Sequence, residues 1–139
     1  MPHRFEWVGT FQGVEVIDDS KATSVQAVRA GLEALRLRQV VLILGGRDKM
    51  LDASSLAKHD DHLRTVVGYG EAGQRLLASC RFTRAVYEPS FGAAVNVAIG
   101  AAHPGDVLLL SPACTSFDQH QDYAERGQEF RRLVRKRML

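Results

Sequence analysis

Cysteine is nearly absent from this sequence: Cys80 and Cys114 are the only two in 139 residues. Two thiols so far apart make no disulfide scaffold, and with no further cysteine beside either they complete no metal site. Long apolar runs are missing too, which excludes a membrane-spanning segment, and no apolar stretch follows Met1-Pro2-His3-Arg4 as a signal peptide would require. The expected setting is therefore a reducing cytoplasm. Neither sign of charge is in real excess; the formal net charge is +2, far from the basic balance of a dedicated nucleic-acid binder. Repeats, low-complexity tracts and linker-like stretches are also lacking. A single domain over residues 1–139 is expected, long enough to bury a core unaided.

What is present alternates between two periods. Residues 6–10 and 14–18 are short alternating segments around Phe11-Gln12-Gly13, the pattern of a β-hairpin. From Thr23 the period becomes helical through Val25, Val28, Leu32 and Leu35, and Thr23 with Gln26 matches a capping box. Residues 39–44 form a continuous apolar run halted by Gly45-Gly46, as expected of a central strand buried on both faces. Short helical material over 55–63, a strand over 65–69, a helix over 72–79, a strand over 84–88, a helix over 91–102 and a buried strand over 106–110 follow, before a final helix. Strands alternating with helices predict an α/β, Rossmann-like fold: a mostly parallel sheet with helices on both faces and an N-terminal hairpin.

Several constellations deserve weighing as chemistry. Asp18-Asp19-Ser20-Lys21-Ala22-Thr23 sets a cation, carboxylates and hydroxyls where a strand hands over to a helix, on the rim where parallel sheets bind ligands. Lys49 lies beyond the central strand, placed to meet a carboxylate or phosphate. Ser116 with Gln119 matches a second capping box, so a helix N-terminus that caps itself or holds an anion is expected there. Gly68-Tyr69-Gly70-Glu71-Ala72-Gly73 is a literal GxGxxG with Glu88 about 20 residues on, which leaves a free-standing nucleotide- or dinucleotide-binding module as the alternative reading. It opens a short helix in mid-chain, so glycines serving a tight turn are the plainer explanation. No GxxxxGK[ST] Walker loop is present. His59-Asp60-Asp61-His62 reads as a solvated face rather than a metal site, and Cys114 with His120 lacks a third group to make a nucleophile and base. The basic residues of the last helix, Arg126, Arg131, Arg132, Arg135, Lys136 and Arg137, read as a solvated cationic face.

Asp19-Ser20-Lys21-Ala22-Thr23, Gly45-Gly46-Arg47-Asp48-Lys49 and Leu110-Ser111-Pro112-Ala113-Cys114-Thr115-Ser116-Phe117-Asp118-Gln119, in this order, resemble the C-terminal domain of the Mur ligases, above all the members that add D-glutamate. The resemblance covers essentially the whole chain. It implies the amino-acid-binding domain of an ATP-dependent ligase of peptidoglycan precursor synthesis. The N-terminal UDP-binding and central ATP-binding domains would lie outside residues 1–139. The implied substrates are D-glutamate, ATP and UDP-N-acetylmuramoyl-L-alanine, with Mg2+ and ATP bound mainly by the central domain; the implied state is monomeric, and no nucleic acid, membrane or metal is expected on this chain. Matched positions give D-glutamate to Thr23, Lys49, Ser116, Phe117 and Tyr123, the nucleotide to Arg4, Asp19 and Lys21, and catalytic roles to Lys21 and Lys49. Two departures stand out: Met50 follows Lys49 where the family often has a small residue, and His120 with Tyr123 replaces a pair of phenylalanines.

Overall fold

Side-chain alternation along one strand decides the layering. In the computed structural model, which describes residues 1–138, strand β3 (Val40–Gly45) is buried along its whole length. Val40, Leu42 and Leu44 join one core cluster and Val41 and Ile43 the other. Each fully buried branched side chain of this kind contributes roughly 1.5–3 kcal/mol, so this strand demands a helical layer on both sides.

Those layers form around a six-stranded sheet of order β1-β2-β6-β3-β4-β5. Strands β1 (Glu6–Phe11) and β2 (Val14–Asp18) make the antiparallel hairpin, turned at Gln12 and Gly13 with φ of 48° and 81°. Strands β4 (Leu63–Tyr69), β5 (Ala85–Glu88) and β6 (Val107–Ala113) pair in parallel with their neighbours, as β2 does with β6. Helices α1 (Val25–Ala34) and α2 (Gly70–Cys80), with a short 3-10 helix (Ser54–His62), cover one face through Val28, Leu32, Leu56 and Leu76. Helices α3 (Phe91–Ala101) and α4 (Tyr123–Met138) cover the other through Phe91, Val95, Phe130 and Val134. The expected fold class is the observed one.

Four local expectations are corrected. The cap of α1 is Ser24, whose hydroxyl accepts from the Ala27 amide at 3.1 Å, and Thr23 stands one residue outside it. No helix begins at Ser116: residues 116–122 are turns, and α4 starts at Tyr123 with Asp122 accepting from the Glu125 amide at 2.9 Å. The cationic face of α4 is only partly solvated, because Arg126 is fully buried and Arg131 pairs with Asp18 and Glu6. His59 and His62 are also buried rather than solvated, and their hydrogen bonds fix their tautomers. The Arg38 carbonyl can only accept, so His62 Nδ1, 3.2 Å away, carries a proton. His62 Nε2 then accepts from His59 Nδ1 at 2.9 Å, leaving His59 Nε2 a buried acceptor with no donor.

Burial, with the neighbouring His62 second, holds the His59 pKa below its ordinary 6.5. The unfolded chain therefore binds a proton that the folded chain refuses, and stability present above pH 6.5 is lost as the pH falls through that value towards the lower folded pKa. Urea midpoints measured between pH 7.5 and 5.5 are expected to fall more steeply for the natural sequence than for His59→Gln; equal slopes would contradict a lowered pKa at the buried His59.

Candidate functional site

The sheet order places three strand ends side by side, because β6 lies between β2 and β3. The turn after β2 carries Asp19, Lys21 and Thr23, the loop after β6 carries Ser116 and Phe117, and the loop after β3 carries Lys49. Backbone hydrogen bonds stitch these segments together. The Asp19 amide donates to Leu110 O at 2.8 Å, the Ala113 amide to Ala22 O at 2.9 Å, and the Arg47 amide to Thr115 O at 2.9 Å. The rim outside such strand ends is where open α/β sheets bind ligands.

Two buried charges of opposite sign fasten the turn from below. The Asp18 carboxylate accepts from His3 Nδ1 at 2.6 Å, Arg131 Nε at 2.8 Å and the Ser20 amide at 2.9 Å. Gly127 makes the room: a Cβ there would run into the His3 ring and the Asp18 carboxylate. On the other side the Arg126 guanidinium donates to Ser20 Oγ at 2.9 Å, Ser20 O at 2.7 Å, Cys114 O at 2.9 Å and the Tyr69 hydroxyl at 3.3 Å. Ser20 Oγ in turn donates to Tyr123 O at 2.7 Å. One guanidinium thus joins the β2 turn, the β6 loop and helix α4. Burial pushes the Tyr69 hydroxyl up to about 12, so it stays a neutral partner of that cation.

The expected site residues divide between two hollows and the loops beside them. Arg4, Asp19 and Lys21 line a cavity of about 320 Å³ whose apolar wall is Phe5, Ala27 and Ala30. Asp19 is 5% exposed, accepting from the Phe5 amide at 2.9 Å and the Ser111 hydroxyl at 3.0 Å. Burial raises its pKa against those two bonds, which act to lower it. Lys21 Nζ rests 4.3 Å from the centroid of the Tyr123 ring, so Tyr123 contacts the Lys21 side of the site as well. Thr23 is exposed and lines a separate polar hollow with Ser24, Arg29, Asp52 and Ser55. Lys49, Ser116 and Phe117 stand on the neighbouring loops rather than on the walls of either hollow. Lys49 and Phe117 are exposed, while the Ser116 hydroxyl is buried without a hydrogen-bond partner, as is that of Thr115.

The backbone of the loop after Lys49 is not relaxed. Met50 holds φ of 58°, a left-handed conformation that costs a non-glycine residue about 1–2 kcal/mol. This gives the departure noted in the sequence a physical meaning, since glycine would sit there freely.

The glycine fingerprint is spoken for internally. Gly70 starts α2 with φ of 69°, and a Cβ on it would strike the Asp118 carboxylate. Asp118 accepts from the Glu71 amide at 3.2 Å, while Gln119 accepts from the Phe91 amide and donates to Pro89 O, both at 2.8 Å. A carboxylate of this chain therefore occupies the place at the α2 N-terminus that a pyrophosphate would need. The Cys114–His120 pairing also dissolves: His120 Nε2 lies 2.6 Å from Glu129, and burial lifts the Cys114 thiol to about 11.

Comparison with known proteins agrees with this geometry. The model of the Mur ligase glutamate ligase domain matches residues 3–114. The chain belongs to the Mur ligase family. It is 46% identical over 136 residues to the UDP-N-acetylmuramoylalanine--D-glutamate ligase of Rubrobacter xylanophilus, covering 96% of this chain and 31% of that protein. The chain thus spans about a third of the length of the curated relatives it matches. An isolated domain assigned to a UDP-N-acetylmuramate:L-alanyl-gamma-D-glutamyl-meso-diaminopimelate ligase from Haemophilus ducreyi superposes with a TM-score of 0.64 at 20% identity, covering 97% of both chains. The MurF ligase of Thermotoga maritima, solved with ADP, gives 0.63 at 18% identity over 99% of this chain and 32% of its own. Both share the Mur-ligase domain fold.

Sequence reasoning missed Arg126 and Asp118 as builders of the site. Removing the Arg126 guanidinium strands two buried carbonyls, and Arg126→Met is expected to cost on the order of 3 kcal/mol in urea unfolding. Arg126→Lys should recover only part of this, and a loss below about 0.5 kcal/mol, the range of ordinary surface substitutions, would contradict the strut. Titration with NAD is expected to show no saturable binding; micromolar binding abolished by Gly70→Val would restore the dinucleotide reading.

Proposed function

We propose that this chain is the amino-acid-binding domain of a ligase that adds D-glutamate to UDP-N-acetylmuramoyl-L-alanine in peptidoglycan precursor synthesis. The observation that carries the reading is the rim itself: adjacent strand ends bring Thr23, Lys49 and the unpartnered Ser116 hydroxyl onto one edge of the sheet. The name carried by relatives at 40–46% identity points the same way.

In such a ligase ATP phosphorylates the acceptor carboxylate, the D-glutamate amine attacks the acyl phosphate, and a tetrahedral intermediate expels phosphate. The protein's share is positioning and charge neutralisation. Lys49 would anchor a carboxylate of D-glutamate, with Thr23, Ser116, the Phe117 amide and Tyr123 completing its seat. Arg4 and Lys21 would face the phosphates and Asp19 the ribose. The cavity that these three line suits a nucleotide edge: an apolar wall beside two cations and a carboxylate. Mg2+ and most of the ATP contacts would come from the central domain. The remaining ligase domains are therefore required partners, and the chain alone would be inactive. We place the enzyme in the cytoplasm as a monomer.

The test is reconstitution of this chain with the first two domains of the Rubrobacter relative, followed by D-glutamate-dependent phosphate release. A charge-assisted hydrogen bond of about 1.5–3 kcal/mol is lost in Lys49→Ala. The expected fall in kcat/KM for D-glutamate is on the order of 10- to 100-fold. Unchanged release would remove Lys49 from the site.

A further inference from the structure

We propose that Arg75, which lies on α2 and outside the expected site, is a positioning residue that holds the Lys49 loop in shape through Asp48. The inference rests on the reading of Lys49 as the anchor for the incoming amino acid.

The loop after β3 is fixed at every residue except Lys49. Arg75 Nε lies 3.1 and 3.0 Å from the two Asp48 carboxylate oxygens, and Nη2 lies 2.7 Å from Oδ1. The remaining guanidinium nitrogen, Nη1, donates to Leu51 O at 2.9 Å. One side chain thus clasps the loop on both sides of Lys49. Asp48 is held again through its own amide, which donates to Glu71 Oε1 at 2.8 Å, and its Oδ1 accepts from the Met50 amide at 2.8 Å. Arg47 is tied by its amide to Thr115 O at 2.9 Å. Between these fastened neighbours Lys49 is exposed.

Two further observations separate a positioning clamp from an ordinary surface ion pair. Nε, Nη1 and Nη2 of Arg75 are all engaged with the loop, so it is not spare cationic charge for a substrate. And the loop needs holding: Met50, the residue after Lys49, sits at φ of 58°, and its amide is pinned by the very carboxylate that Arg75 grips. A planar fork can grip a carboxylate from two nitrogens while reaching a carbonyl with the third; a lysine cannot. The Arg75 hydrogen bonds hold the Asp48 carboxyl below the usual carboxylate range, so the clamp stays ionised at neutral pH.

The experiment uses the reconstituted ligase with two readouts, steady-state kinetics and amide hydrogen exchange at residues 48–51. Arg75→Ala is expected to raise the KM for D-glutamate about tenfold, with kcat within twofold and the KM for ATP unchanged, and to speed exchange at Met50. Arg75→Lys should behave like Arg75→Ala. Adding Met50→Gly to Arg75→Ala should recover most of the D-glutamate KM, because glycine adopts the left-handed turn without a clamp. An equal loss in every kinetic parameter, or no change in the D-glutamate KM while Lys49→Ala raises it, would overturn the positioning role and leave the reading of Lys49 standing. A D-glutamate KM indifferent to Lys49→Ala would overturn both.

Discussion

The site depends on a guanidinium sealed inside the protein. Arg126 is fully buried, and its partners are a serine hydroxyl, two carbonyls and a tyrosine hydroxyl rather than a carboxylate. Burying such a charge costs several kcal/mol even after relaxation, so the structure tolerates it only with those donors satisfied. The oxygens that satisfy it belong to the β2 turn, the β6 loop and β4. Folding α4 onto the sheet and shaping the rim are therefore one event. The buried Asp18, gripped by His3 and Arg131, balances the turn from the opposite side.

Above this foundation the molecule uses its polar groups in two ways. Some are consumed internally: Asp118 caps the α2 N-terminus and Asp48 is clasped by Arg75. Others are left unengaged on the same edge: the Lys49 ammonium and the Thr23 side chain are exposed, and the Ser116 hydroxyl on the β6 loop is buried without a partner. The consumed groups are the ones that set loop geometry. The unengaged ones are those that a dicarboxylate amino acid would engage on the function proposed above.

The fold was legible because hydrophobic period and turn chemistry agreed along β3 and α3, and along β6 as far as Leu110; past it the strand runs on through Ser111-Pro112-Ala113, which reads as loop in the sequence. Caps and loop partners were less so. Thr23 and Ser24 are both good capping residues, and only the backbone conformation selects Ser24. At Ser116 the capping-box pattern leads only into a turn: its hydroxyl accepts no amide, and Asp122 starts α4 further on. Asp118 in place of a phosphate was illegible, since it requires knowing that the β6 loop crosses the start of α2. Arg126 was readable in principle. It lies at helical spacing from Phe130 and Val134 on the apolar stripe of α4, where a charge signals a buried partner rather than a solvated face.

On the function proposed above, the three joined strand ends form a preassembled half of an amino-acid site. Its most direct test is a D-glutamate titration of this chain followed by amide chemical shifts. Saturable shifts confined to residues 21–23, 48–50 and 115–117, diminished in Lys49→Ala, are expected. Shifts centred instead on residues 68–73, or none at any concentration of D-glutamate, would contradict it.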